Sequence, residues 1–196
     1  VRAACGTMEG YRWSLDLLEL GSRARFGSAE GSDDRVWILV GGSSAEGKGR
    51  IAAYREALVR ALDGATGLLV SGGKAQGVSA LAGDVSAAHD KIRAIGYLPS
   101  GLPDDVDADE RYDELRRTAG AKFSPLEPLT YWRDLLDRGI QSAEVGVVAV
   151  GGGRLTALEI QIALALGARV AVVAGSGGAA GAVARDRTWG TSHRLI

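Results

Sequence analysis

The chain has 196 residues, 46% of them apolar, with 23 lysines and arginines against 24 aspartates and glutamates and a formal net charge of -1. That length suffices for one α/β domain whose core needs no staples, and the near-neutral balance argues against a protein that coats DNA or RNA. A single cysteine, Cys5, excludes an intrachain disulfide framework, and two histidines, His89 and His193, cannot build the usual zinc site.

No uninterrupted apolar run approaches the roughly 20 residues that cross a bilayer, and no charged-then-apolar leader is visible. A soluble, cytoplasmic chain without a membrane partner is therefore expected. Residues 1–34 stand apart: 13–20 (WSLDLLEL) is amphipathic and suits a short helix or docking segment, and 27–34 (GSAEGSDD) is linker-like. This stretch is expected to be a peripheral arm or the tail of a neighbouring domain, with the main domain over 35–196.

From residue 36 the rhythm becomes strand, glycine turn, helix. The run 36–40 (VWILV) is continuously apolar, as in a parallel strand covered on both faces. Gly41-Gly42-Ser43-Ser44 follows, then a helix over 48–62 with Ile51, Tyr54, Leu58, Val59 and Leu62 on one face. A second strand is expected at 67–71 and a second helix at 78–90. The third strand runs over 92–98 and is ended by Pro99. Residues 99–125 read as irregular, with an acidic patch at 104–110 followed by Arg111, Arg116, Arg117 and Lys122. A connection this long suggests a functional or partly disordered segment; Arg116, Arg117 and Lys122 suit either a charged lid or a solvated surface. A helix over 126–138 carries Leu129, Trp132, Leu135 and Leu136. A fourth strand (145–150), a fourth helix (156–166, burying Leu158, Ile162 and Leu166), a fifth strand (169–174) and a small-residue C-terminal helix complete the chain.

Alternating strands and helices of this kind imply an α/β fold: a Rossmann-like, doubly wound parallel sheet with helices on both faces. Ligands of such sheets bind beyond the carboxyl ends of the strands, where the winding reverses. If the first and fourth strands flank that point, the glycine loops after strands one, two and four converge there. The loop at 72–77 (GGKAQG) has the spacing of neither a P-loop nor a dinucleotide fingerprint. It still opens a helix of small residues and suits either a tight turn or a phosphate cradle. The loop at 151–159 (GGGRLTALE) admits two accounts of Glu159: partner of Thr156 in a capping box, or acceptor for ribose hydroxyls. Arg154 offers a planar donor fork for a phosphate or carboxylate. His89, Trp37 and Trp132 suit surface or packing roles.

These motifs resemble the SLOG superfamily, the Rossmann-like group that includes Lonely Guy phosphoribohydrolases, the DNA-processing protein A and TRPM-channel N-terminal domains. Residues 151–159 match the Lonely Guy pattern Pro-Gly-Gly-x-Gly-Thr-x-x-Glu at Gly152, Gly153, Thr156 and Glu159, with Gly151 for the proline and Leu155 for the third glycine. The stretches 77–84 (GVSALAGD), 95–99 (IGYLP), 111–116 (RYDELR) and 123–128 (FSPLEP) are similar to prokaryotic relatives of the TRPM domain. The arginine that the hydrolases carry in a Met-x-x-Arg-Lys segment has no counterpart in 131–138 (YWRDLLDR).

The resemblance implies a sensor of an NAD-derived or other nucleotide signal, such as ADP-ribose or its cyclic forms, regulating a fused or associated effector in antiviral or stress systems. It implies ligand contacts from Gly72, Gly73, Gly77 and Val78 to phosphate, from Gly152, Gly153, Arg154 and Thr156 to a second phosphate or ribose, and from Glu159 to hydroxyls. Gly42 and Ser43 close the floor. No metal and no cofactor beyond that ligand is required, a homodimer is expected, and nucleic-acid binding is disfavoured. The alternatives are a nucleoside-monophosphate phosphoribohydrolase with Glu159 catalytic, and a carrier of a phosphorylated cofactor such as molybdopterin.

Overall fold

The computed structural model describes residues 23–25, 33–42, 48–102, 107–186 and 195. In chain order they form β1 (Arg23–Arg25), β2 (Asp33–Gly41), α1 (Lys48–Ala61), β3 (Gly67–Ser71), α2 (Gly77–Ala88), β4 (Ile92–Pro99) and β5 (Glu114–Thr118). Then come α3 (Leu126–Asp137), a 3-10 turn (Ser142–Glu144), β6 (Val145–Val150), α4 (Arg154–Leu166), β7 (Arg169–Val172) and α5 (Gly178–Arg185). The sheet order is β5-β4-β3-β2-β6-β7, all of these pairs parallel. This is the doubly wound Rossmann-like sheet that the pattern predicts. From β2 the chain winds outward to β5, then returns to lay β6 on the other side of β2. The winding therefore reverses between β2 and β6, whose ends meet in register at Gly41 and Val150.

The continuous apolar run of β2 serves two cores at once. Val36, Ile38 and Val40 face α3, α4 and α5 through Tyr131, Trp132, Leu135, Ile160, Ala163 and Ala180. Trp37 and Leu39 face the opposite layer, with Leu58 of α1 and Val78, Leu81 and Val85 of α2. Both faces are covered, which is why β2 shows no alternation of apolar and polar residues. Trp37 and Trp132 are core residues, as their positions suggest. The His89 ring lies 2.8 Å from the Val59 carbonyl, joining the end of α2 to α1. Among the described residues no helix is long and apolar enough to cross a membrane.

The structure corrects two expectations, for residues 99–125 and for the buried side of α4, and adds detail to two more. Residues 99–125 are not simply irregular: they contain β5, an edge strand of sequence ELRRT. Edge strands carry charge on their open side, so this one lacks the apolar run that marks its neighbours. Part of the supposed arm, β1, pairs antiparallel with residues 33–35; the rest of residues 1–34 lies outside the described residues. On α3 the buried positions are Glu127, Pro128, Tyr131, Trp132 and Leu135, while Leu129 and Leu136 are exposed. On α4 they are Thr156, Ile160 and Ala163, and Leu166 is exposed.

The segment before β5 is a strap. Asp109 N–H donates to the Gly73 carbonyl (2.9 Å) and Ala75 N–H to the Asp107 carbonyl (3.1 Å), so the strap runs antiparallel to the first glycine loop. Asp109 is buried and accepts from Arg111 N–H (3.1 Å), Nε (2.8 Å) and Nη2 (2.6 Å). Arg111 also bonds Asp84 of α2, which takes Arg55 Nε at 2.9 Å. Arg111→Ala would leave the Asp109 carboxylate buried and short of donors. It is expected to cost about 2–3 kcal/mol, a fall in Tm of about 5–10 °C, with partial rescue in Arg111→Lys. A differential-scanning comparison of the three chains checks this.

Candidate functional site

The glycine loops that follow β2, β3 and β6 meet at the reversal point. A side chain at Gly42 would come within 3.1 Å of Gly152 Cα, so the backbones of the first and third loops touch. The Gly42 carbonyl also accepts the Val78 N–H at 3.2 Å, tying the start of α2 to the same place. That bond occupies one of the donors assigned to phosphate, so in this arrangement Val78 N–H serves the fold. α2 begins after Gln76, which makes no side-chain cap, and Gly77 is its first residue. Gly72 and Gly73 approach this start from the end of β3. Gly73 backs onto Gly96 of β4 and Leu115 of β5, and Gly72 lies against Ser79 and Phe123. Ser43 lies outside the described residues.

The third loop is held from behind by α5. The carbonyls of Gly152 and Gly151 accept from Ala179 N–H (2.8 Å) and Ala180 N–H (2.9 Å), and Gly151 N–H donates to Ser176 Oγ (2.9 Å). These bonds fix Gly152 at φ +82, where a Cβ would lie 2.5 Å from Thr156 Cβ. Only glycine fits there. α4 starts immediately afterwards at Arg154, with Gly153 as N-cap and no side-chain cap. Its first intrahelical bond is Ala157 N–H to the Gly153 carbonyl at 3.0 Å, which leaves the N–H groups of Arg154, Leu155 and Thr156 without intrahelical partners. The capping box is thus not formed: Thr156 is the third helical residue, and it is buried rather than capping.

Glu159 sits one turn further in. Its Oε1 is 3.5 Å from the hydroxyl of Tyr131 on α3, a long contact, and the side chain is largely withdrawn from solvent. Burial pushes its carboxyl from 4.5 up to about 8; the Tyr131 hydroxyl pulls it back, and the charge of nearby Glu127 adds to the rise. Tyr131 itself is fully buried and its phenol is raised well above 10, first by burial and then by Glu159. Glu127, also buried, is saturated: it accepts from Thr118 Oγ1, from Ser124 N–H (2.6 Å) and from Ser124 Oγ (3.2 Å). α3 and the turn before it therefore connect the first loop to Glu159.

The basic residues separate by role. Arg154 is exposed at the first position of α4, beside the open N–H groups. Arg116 is structural: it bonds Glu114 (2.6 Å), Asp134 (2.6 Å) and the Tyr97 hydroxyl (3.1 Å), locking β5 and β4 to α3. Arg117 reaches the Pro99 carbonyl at 3.4 Å, and Lys122 is exposed. No group of three or more His, Cys, Asp or Glu among the described residues is arranged to hold a metal ion.

No family model and no curated protein sequence matches the chain. Solved structures do. TM1055, determined by X-ray crystallography, is 24% identical over 76% of this chain and 80% of its own, with a TM-score of 0.53. The molybdenum cofactor carrier protein of Chlamydomonas reinhardtii is 19% identical over 82% of this chain and 86% of its own, with a TM-score of 0.52. The chain shares their α/β fold.

Several residues that build the site are not singled out by the sequence. Ser176 holds Gly151 from a loop 25 positions away. Tyr131 and Glu127 lie on a helix whose apolar residues suggest a different inner face. Phe123 and Lys74 flank Gly72, and only the glycines around Lys74 mark that loop as special. The signal available was local: a lysine inside a glycine turn, and FSPLEP ahead of a helix.

Proposed function

We propose that this chain is a SLOG-type domain that binds a phosphorylated, ribose-bearing signal, an NAD-derived or other nucleotide of the ADP-ribose kind, and passes its occupancy to a linked or partner effector or across a homodimer. The observation that carries this reading is the uncapped start of α4 at the reversal point. Three N–H groups there lack intrahelical partners, Arg154 stands beside them, and Glu159 follows one turn on. An uncapped helix start with a guanidinium beside it suits a phosphate. A carboxyl that keeps its proton to about pH 8 can both donate to and accept from a ribose hydroxyl without burying a charge. Gly72, Gly73 and Gly77 offer a second anion cradle, and Gly42, where the first and third loops touch, closes the floor.

ADP-ribose or a cyclic relative is expected to raise the Tm, since a ligand that binds only the folded chain stabilises it. Arg154→Ala should weaken binding about tenfold while leaving the unliganded Tm within about 2 °C, because the side chain is exposed. No shift with any of a panel of nucleotides at millimolar concentration would remove the reading.

A second reading, a carrier of molybdopterin or a similar phosphorylated cofactor, draws on the fold likeness to the Chlamydomonas reinhardtii carrier. Its mark is a pterin absorbance or mass carried through purification, which the nucleotide reading does not predict.

A further inference from the structure

Beside the first glycine loop lies an aromatic–cationic pair that neither the fold nor the helix starts require. Phe123 is half-buried on the turn between β5 and α3. Its neighbour Ser124 is held by both N–H and hydroxyl to Glu127 Oε2, while Thr118 bonds the other oxygen. A carboxylate buried to 3% exposure is costly unless saturated with donors, and here two of the three come from Ser124, next to the ring, and the third from Thr118 at the end of β5. The ring is thereby fixed against the loop: a Cβ at Gly72 would lie 3.4 Å from Phe123 Cε1 and 2.7 Å from Ser79 Oγ. Lys74 extends from the same loop and places Nζ 5.6 Å from the ring centroid. Among the described residues its ammonium has no carboxylate partner, although Asp107 and Asp109 flank the strand bridge in which Lys74 takes part.

We propose that Phe123 and Lys74 read the planar ring of an anionic ligand: the base stacks on Phe123, and Lys74 leaves the ring face to meet the ligand's phosphate. This rests on the nucleotide reading above and names the residues that select for the base. A half-exposed cation–π contact is worth only about 0.5–1 kcal/mol, so exchanging it for a stacked base and a phosphate contact is favourable. Base–aromatic stacking tolerates any base, which gives selection for the presence of a ring rather than for its identity. The lysine stem is flexible enough for the move, since the ammonium is a point charge on a four-carbon chain.

Calorimetric titration of the whole chain with AMP, ADP-ribose and ribose 5-phosphate tests this, alongside the unliganded Tm of each variant. Phe123→Leu is expected to weaken AMP and ADP-ribose by roughly 10-fold or more and to leave ribose 5-phosphate within about twofold of wild type. Phe123→Trp should restore the base-bearing ligands, and Lys74→Gln should weaken all three phosphates. If Phe123→Leu fails to fold, the Phe123→Trp chain decides: the ratio of AMP to ribose 5-phosphate affinity must be kept or raised. Equal losses for base-bearing and base-free ligands, or none, would overturn the clamp while the nucleotide reading survives. A wild-type chain that binds none of the three removes both.

Discussion

Gly152→Ala is expected to lower the Tm by about 10 °C and to abolish ligand binding, while Gly153→Ala, one residue on, leaves the fold in place. The two glycines look alike in sequence and differ completely in surroundings. Gly152 lies at φ +82, with the space a methyl would need already filled by Thr156 Oγ1 and Cβ. The left-handed backbone costs a non-glycine residue roughly 1–3 kcal/mol, and overpacking costs about as much again. Relief by backbone movement is blocked, because the Gly151 and Gly152 carbonyls hold Ala180 and Ala179 of α5. Each kcal/mol moves the Tm of a chain this size by about 2–4 °C. Gly153 has no atom within 4 Å of its would-be Cβ and a negative φ, so alanine there costs less than about 1 kcal/mol, the difference between glycine and alanine as N-cap. Thermal unfolding of both variants with far-ultraviolet dichroism checks the contrast. A Gly152→Ala chain as stable as wild type would mean that the third loop is not the packed junction described.

The second large effect is in pH. Glu159 holds its proton to about pH 8 in the folded chain, against 4.5 for a free carboxyl. A proton bound more tightly by the folded state stabilises it at low pH, and that advantage is lost as pH rises. Glu159 therefore contributes a decline in stability from about pH 4.5 to about pH 8 and nothing further above. The full shift corresponds to several kcal/mol, and partial exposure reduces it to about 2–3 kcal/mol. Glu159→Gln carries no titrating group and fills the same space. Its Tm should match wild type near pH 4.5 and exceed it by about 5–10 °C at pH 9. The difference between the two profiles isolates this carboxyl from two that titrate low in both chains: Glu114, bonded by Arg116, and Asp134, where bonds from Arg133 and Arg116 outweigh the opposing effect of burial. Parallel profiles for the two chains would show that Glu159 is solvated and ordinary.

The parts of the fold legible in sequence are those where one physical effect dominates. β2, β3 and β6 carry continuous apolar runs followed by glycine, and in β4 only the exposed Arg93 interrupts such a run before Pro99; burial on both faces explains each. β5 escapes because an edge strand owes its place to backbone pairing with β4, and its side chains are Glu, Leu, Arg, Arg and Thr. The inner face of α3 is not marked by its apolar residues, for a related reason. Leu129 and Leu136 attract attention, yet a glutamate is buried there because Thr118 and Ser124 supply its donors, a circumstance visible only when the turn has folded. At the site, the meeting of Gly42 with Gly152 follows from strand order and was legible. Three details were not: the loss of the Val78 donor to Gly42, the missing capping box, and the withdrawal of Glu159 beside Tyr131. Each depends on where a neighbouring element, α2, α5 or α3, comes to rest.

Titration calorimetry of the purified chain with ADP-ribose tests the central claim most directly, run beside Arg154→Ala. Saturable binding at one site per chain, about tenfold weaker in the variant, is the predicted result. No heat and no saturation in the wild type at millimolar ligand, or equal affinity in the two chains, would contradict it.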